Sequence, residues 1–313
     1  MVFISVIIPL YNKEKYIEKT LQSVFQQTFT DYELIIINDG STDSSGEIAK
    51  LLCKNKKNTT VIYQENKGLS VTRNRGVGMA KGEIIALLDA DDIWDKNYLS
   101  EIHTLYKDFP EASLFGTDYI EKYSSTNFLE PSKNIPRILK NTTFLVKNFF
   151  EINLHQPIIT PSSFSFKKAI FKSIKFNETI EFAEDVEFFI KSNLNNLFAY
   201  SYKPLVTVHF DIPNQMTQVG FRGKRIPDFD QFEMHSDQHP TLKKYLDTKR
   251  YYFIILCRIA NDQPNLTLLK KQLDVSNLKI RQRVLLYTPV LILKGLRYLK
   301  RRLLKKNIRL TSY

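Results

Sequence analysis

Over the first 118 residues, short apolar runs rich in β-branched side chains alternate with amphipathic stretches. This pattern predicts βαβ units on a mostly parallel sheet. The strand candidates are Phe3 to Ile8, Glu33 to Ile37, Thr60 to Gln64, Glu83 to Leu88 and Ala112 to Phe115. Between them, Ile17, Leu21, Val24 and Phe25 recur at helical spacing. Ser and Asp residues around Ser44 are placed to cap a second helix running to about Lys54. Gly68 to Ala80 reads as a third crossover helix, and Lys96 to Tyr106 as a fourth that stops before Pro110.

From Tyr119 to Phe176 the periodicity weakens among scattered Pro, Asn and Ser, so a variable region over the sheet is expected there. Helical spacing returns at Glu184 to Leu194, a short strand is predicted at Leu205 to Phe210, and Asp211 to His239 reads as a mobile loop. A helical portion follows from about Pro240. The expected division is therefore 1–118, 119–239 and 240–313, the last a helical C-terminal region. No internal repeat is visible.

Composition narrows the class. With 43% hydrophobic and 25% charged residues, the 313-residue chain has material for a sizeable core. The apolar run at the N-terminus is strand-length and lacks a basic region before it, so the chain is expected to be retained in the cytosol. Cys53 and Cys257 have no metal-ligand spacing and suggest a reducing compartment. The net charge of +12 looks like a nucleic-acid signal until it is located. Eleven basic residues and no acid lie from Lys279 onward, which leaves 34 basic residues against 33 acidic ones before it. The charge belongs to the tail.

In an open parallel sheet, ligands bind at the C-terminal ends of the strands, where helix N-termini also point. Three such ends carry the informative residues: Pro9-Leu10-Tyr11-Asn12, Asn38-Asp39-Gly40-Ser41-Thr42-Asp43 and Asp89-Ala90-Asp91-Asp92. Three carboxylates in four positions repel one another, and a hard divalent cation such as Mg²⁺ or Mn²⁺ resolves the repulsion. The other reading is a solvated acidic turn near Trp94, since carboxylates favour helix N-termini. Asp39 could accept a hydrogen bond from an imide N–H such as that of uracil, or could belong to an ordinary Asp-Gly turn. Arg73 could be a surface charge, or could reach a base or phosphate with its planar fork.

Taken in order, Ser5-Val6-Ile7-Ile8-Pro9-Leu10-Tyr11-Asn12, Asn38 to Asp43, Arg73-Asn74-Arg75-Gly76, Ala80 to Ile84 and Leu88 to Asp92 resemble the inverting nucleotide-sugar glycosyltransferases of the GT-A fold, family 2 type, bacterial surface-polysaccharide class. The resemblance covers residues 1 to about 118. It implies an α/β fold and a nucleoside-diphosphate sugar donor, UDP-type, with Pro9, Tyr11, Asn12 and Asp39 around the nucleoside, Arg73 beside it and Asp89 near the ribose. Asp91 would hold Mn²⁺ or Mg²⁺ on the diphosphate, with Asp92 as a neighbour that helps. Asn38 stands where the family often has Asp, which leaves Asp39 untouched. The same family places a Glu-Asp pair at a helix start in its second half, and Phe182-Ala183-Glu184-Asp185 is similar to it. Asp185 would be the general base, Glu184 its support and Glu187 a surface residue. His209 falls where related enzymes sometimes carry a metal-reaching imidazole, although a lone His at a strand end is also a common structural residue. The Gln-x-x-Arg-Trp motif of processive synthases is missing, so a single transfer per acceptor is expected.

In the tail, Ile292, Leu296, Leu299 and Leu303 follow helical spacing while Lys294, Arg297, Arg301 and Lys305 fall elsewhere around the axis. That is the profile of an interfacial helix drawn to anionic lipid, so a peripheral place on the inner face of the plasma membrane is expected, and with it the resemblance implies a glycan or glycolipid acceptor. The alternatives are a basic helix packed on the domain and a disordered tail. Pro289 interrupts the run Val284 to Leu293, which is too short to span a bilayer. No base-reading motif argues for nucleic acid. A catalytically silent nucleotide-binding member of the fold and a nucleotidyltransferase are the competing functions.

Overall fold

The computed structural model describes residues 2–124, 126–210, 222–306 and 308–309. In the first half, β1 (Ile4–Leu10), α1 (Ile17–Phe25), β2 (Tyr32–Asp39), α2 (Ser45–Cys53), β3 (Thr59–Gln64), α3 (Leu69–Met79) and β4 (Ile84–Leu87) alternate as the apolar pattern predicts. Then come β5 (Ile93–Trp94), α4 (Tyr98–Asp108), β6 (Leu114–Lys122), β7 (Phe128–Leu129), β8 (Thr143–Leu145), α5 (Phe149–Ile152), β9 (Phe164–Lys167), α6 (Glu184–Asn195) and β10 (Phe198–His209). The C-terminal helices are α7 (Leu242–Ala260), α8 (Gln263–Lys271), α9 (Ile280–Tyr287) and α10 (Val290–Leu304).

One mixed sheet runs in the order β3-β2-β1-β4-β9-β6-β10-β5, with β7 on β6 and β8 on β10. The β3-β2-β1-β4 run is parallel, and so is the β6-β10 pair. Between them β9 pairs antiparallel to both β4 and β6. Both faces of the parallel run are covered, so alternate residues serve different cores. Leu34 and Ile36 join the cluster under α1, α2 and α4, whereas Ile35 and Ile37 join the one under α3, α6 and α7. Ile17, Leu21 and Val24 of α1 are all fully buried, and each such side chain contributes roughly 1.5–3 kcal/mol on burial.

Three expectations change. The Tyr119 to Phe176 region is part of the sheet, since it supplies β7, β8 and the central β9. The strand expected at Leu205 begins at Phe198. Pro204 offers no N–H to the ladder, and the pairing with β6 shifts register on both sides of it. That bulge hid the first half of the strand from a periodicity reading. Of the expected loop from Asp211 to His239, residues 211–221 lie outside the described residues. The remainder is packed, with Phe229 and Phe232 buried and Asp230 accepting from Arg250 Nη2 at 2.6 Å.

The tail helix α10 buries only Leu293 and leaves Leu291, Ile292, Leu296 and Leu299 exposed. Its end is tied back to the sheet: Asn127 Nδ2 donates to the Leu304 carbonyl at 2.6 Å, and Arg309 pairs with Glu121. Among the described residues no helix is long and apolar enough to cross a membrane.

Candidate active site

The ends of β1 and β2 are laced together. Asn12, in the left-handed region at φ 50°, accepts from Thr42 N at 2.8 Å and donates its own N–H to Ser41 Oγ at 3.1 Å. Tyr11 remains 47% exposed over this edge, next to buried Pro9. Gly40 at φ 72° passes so close to Asn66 that an added Cβ would lie 2.7 Å from its backbone nitrogen. Asp39 is buried and accepts from Gln64 Nε2 at 2.6 Å, Lys67 N at 2.8 Å and Gly68 N at 2.9 Å. Its carboxylate thereby organises the entry to α3.

Gly76 sets how close α3 comes to the sheet, because a Cβ there would stand 2.4 Å from Ile7 Cγ2. This approach delivers Arg73, 1% exposed, between two carboxylates from distant parts of the chain. Its Nη2 donates to Asp89 Oδ1 at 2.8 Å and its Nη1 to Glu184 Oε1 at 2.6 Å, while the guanidinium lies 5.3 Å from the Phe176 ring centroid. Burial opposes the charge, but Asp89, Glu184 and Asp185 outweigh it and raise the pKa, so the guanidinium stays protonated. The next residue, Asn74, clamps the Phe176 backbone with both ends of its amide.

The three carboxylates after β4 diverge. Asp89 turns to Arg73. Asp91 meets the ammonium of Lys13 at 2.6 Å. Asp92 is buried, with Oδ2 accepting from Ser162 Oγ at 2.5 Å and Oδ1 from His209 N at 3.0 Å. Their mutual repulsion is met by three separate partners. Burial raises the pKa of Asp91 against the pull of Lys13, and burial followed by Asp91 and Asp89 raises that of Asp92 well above the carboxylate range. Among the described residues no group of three His, Cys, Asp or Glu side chains has metal-holding geometry. The His209 imidazole shares a cavity wall with Asp91, and burial followed by the nearby Lys122 lowers its pKa to about 4.

Glu184 and Asp185 open α6 directly after Ala183, which is left-handed at φ 63°. Asp185 is half-buried, and its pKa is pushed up to about 6 by burial and then by Glu184, against the pull of Arg73. Glu187 is a correction: it is fully buried, bonded to Asn177 and paired with Lys191 at 2.9 Å, where a surface position was expected. Arg73 thus brings Asp89, Glu184 and Asp185 to one place, while Asp91, Asp92 and His209 gather on the α1 side of the same strand end. Lys13, Ser162, Gln64 and Phe176 are further participants that sequence reading missed. Only Lys13, directly after Asn12, adjoined a recognised motif.

The family model described as glycosyl transferase family 2 matches residues 5–175. Glycosyltransferase GlyG of Streptococcus pneumoniae is 38% identical over 129 residues, 40% of this chain and 42% of that protein. Glycosyltransferase GlyA of the same organism is 42% identical over 108 residues, 34% of this chain and 15% of that protein. An uncharacterized glycosyltransferase of Bacillus subtilis, EpsJ, is 29% identical over 231 residues, 70% of this chain and 64% of its own length. The chain therefore spans less than two thirds of each of these relatives. Among solved structures, S. aureus TarS 1–349 in complex with UDP-GlcNAc shares the fold, with a TM-score of 0.67 and 21% identity over 90% of this chain and 83% of that one. With more than half of its length matched by the family model, the chain belongs to glycosyl transferase family 2.

Proposed function

We propose that the chain transfers a single sugar from a UDP-sugar to a hydroxyl acceptor, with inversion at the anomeric carbon. The observation that carries this reading is the Arg73 guanidinium joining Asp89 at a strand end to Glu184 beside Asp185. This ion-pair bridge supports reading the expected nucleotide edge and the expected base as parts of one site. The likeness to a structure holding UDP-GlcNAc supports a UDP-sugar as donor. In this reading Pro9, Tyr11, Asn12 and the Asp39 loop flank the nucleoside, and Asp89 meets the ribose. Asp185 takes the proton of the acceptor hydroxyl as its oxygen attacks the anomeric carbon. The carbon–oxygen bond to the diphosphate breaks on the opposite face, and the nucleoside diphosphate leaves with the electron pair. A base pKa of about 6 leaves Asp185 ionised at neutral pH and still basic enough to serve.

The residues present fit a divalent cation. Asp91 already holds a positive group, the Lys13 ammonium, and Mg²⁺ or Mn²⁺ binds through one or two carboxylates plus substrate phosphates. Asp91 would hold the ion; Asp92 and His209, bonded to each other through the His209 N–H, would brace that strand end. When bound, the ion offsets charge on the departing diphosphate. The amphipathic α10 with its basic residues supports attachment to the anionic inner face of a membrane, with a lipid-linked glycan of surface-polysaccharide synthesis as acceptor. The test is UDP release from UDP-GlcNAc with Mn²⁺ or Mg²⁺ and its response to mutation. Asp91→Ala should abolish turnover and Asp185→Asn should cut it about 10²–10⁴-fold; undiminished turnover in either overturns its assignment.

A further inference from the structure

The first C-terminal helix, α7, brings a further charge toward Asp185. Phe253 of α7 packs edge-on against Phe182, with ring centroids 6.0 Å apart, and Phe182 lies just before the Glu184-Asp185 pair. Tyr245, Lys249 and Phe253 recur one helical turn apart, so Lys249 lies on the stripe of α7 that meets the start of α6. The Lys249 ammonium stands 5.0 Å from the centroid of the Tyr245 ring, which packs in turn on Phe149 and Phe150. Tyr252, on the next turn, is 46% exposed, yet burial raises the pKa of its hydroxyl, Arg297 of α10 lowers it and Asp185 raises it again. A side chain both open to solvent and crowded by neighbours lines a recess, and the charge of Asp185 reaches into this one.

Apart from the exposed Lys244, the other cations of α7 have partners. Arg250 pairs with Asp230, Glu233 and Asp247, Lys243 pairs with Glu233 and Asp247, and Arg258 holds the carbonyls of Leu285, Leu286 and Thr288. Lys249 is half-buried and forms no ion pair among the described residues. Burial lowers its pKa to about 8, against the pull of Asp185. Among the same residues Asp185 accepts one hydrogen bond, from Val186 N at 2.9 Å. A half-buried ammonium without an anion is costly, and at this place the missing anion can arrive with the molecule whose hydroxyl Asp185 deprotonates.

We propose that Lys249 and Tyr252 form an acceptor subsite, and that the acceptor glycan carries an oxyanion beside the hydroxyl it presents to Asp185. Lys249 supplies a compact point charge for the oxyanion, and the Tyr252 ring an apolar wall with a polar tip for the sugar. A phosphoryl group and a uronate carboxylate both bring that chemistry. The inference rests on the reading of Asp185 as the base that takes the acceptor proton.

The experiment is ligand-observed NMR on the full chain saturated with UDP and Mg²⁺, titrated with glucose 1-phosphate, glucuronic acid and the neutral methyl glucoside. The wild-type chain should bind an anionic probe about tenfold more tightly than the neutral one, and the tighter of the two anions identifies the source of the oxyanion. Lys249→Gln should bind all three probes alike. Lys249→Arg, which keeps the charge, should keep the preference, and so should Lys244→Gln, which removes an exposed charge from the same helix. Calorimetry should give the wild-type chain and Lys249→Gln one affinity for UDP. A preference that survives Lys249→Gln overturns the subsite. A loss of UDP affinity in Lys249→Gln overturns it too, by assigning the ammonium to the donor. A wild-type chain that fails to bind UDP overturns the donor reading and the inference with it, whereas UDP release from UDP-GlcNAc with no preference for an anionic probe overturns the inference alone.

Discussion

Arg73 Nη1 stands 2.6 Å from Glu184 Oε1, with side chains 1% and 6% exposed, and so joins two helices whose sequences are 111 residues apart. Such a buried pair has a characteristic mutational signature. Removing one partner strands a charge, which costs about 3–5 kcal/mol, whereas replacing both with apolar groups costs far less. Chemical denaturation should therefore find Arg73→Met less stable than Arg73→Met combined with Glu184→Met. Turnover should be lost in both.

Asp185 carries opposed demands from stability and activity. Its folded pKa of about 6 exceeds its ordinary value of 3.8, so between those values the folded chain holds the extra proton and stability declines as pH rises. Above pH 6 the ionised carboxylate is retained at a cost. Asp185→Asn should melt higher than the wild-type chain at pH 8, with the difference shrinking toward pH 5. Its turnover should fall by about 10²–10⁴-fold. Wild-type turnover should rise with pH through about 6 and then level.

Lys13 competes with any cation for Asp91. Lys13→Met should tighten Mn²⁺ binding in the absence of nucleotide, as read by calorimetry, while Asp91→Ala should remove it. Equal affinity in Lys13→Met and the wild-type chain would show that the ammonium does not contest the carboxylate.

Ser162 donates to Asp92 from 70 residues away. Ser162→Ala leaves a buried carboxylate short of one donor, at a cost of about 1–3 kcal/mol in denaturation. Mn²⁺ affinity should be preserved, because Asp91 does not touch Ser162.

Gly76→Ala tests the approach of α3. The new methyl would stand 2.4 Å from Ile7 Cγ2, and overpacking of this kind costs about 1–3 kcal/mol. Because Arg73 is one turn away, UDP-sugar turnover should fall along with the melting temperature.

The parallel half of the fold was legible because β1, β2 and β4 are buried on both faces and read as unbroken apolar runs, each bounded by a polar strand end. β9 was not: Phe164-Ser165-Phe166-Lys167 is four residues long and lies among Pro and Ser, with nothing local to mark it as central. At the site, the Asp89-Ala90-Asp91-Asp92 and Glu184-Asp185 motifs were visible as chemistry, yet their division of labour was not. Asp92 looks identical to Asp91 in sequence and is set apart only by Ser162 and by His209, which is 117 residues downstream. Glu187 read as an exposed helical position because two of its partners, Asn177 and Gln231, lie outside α6.

The antiparallel insertion of β9 has a consequence for biosynthesis. A nascent chain that has emerged through β4 can complete the β3-β2-β1-β4 run, but the far flank of β4 stays bare until residues 164–167 leave the ribosome. Domains extend from the N-terminus at about 5–20 residues per second, so that apolar margin waits several seconds for its cover. The interval is when a chaperone would have most to hold, and shortening the 88–163 connection should shorten it.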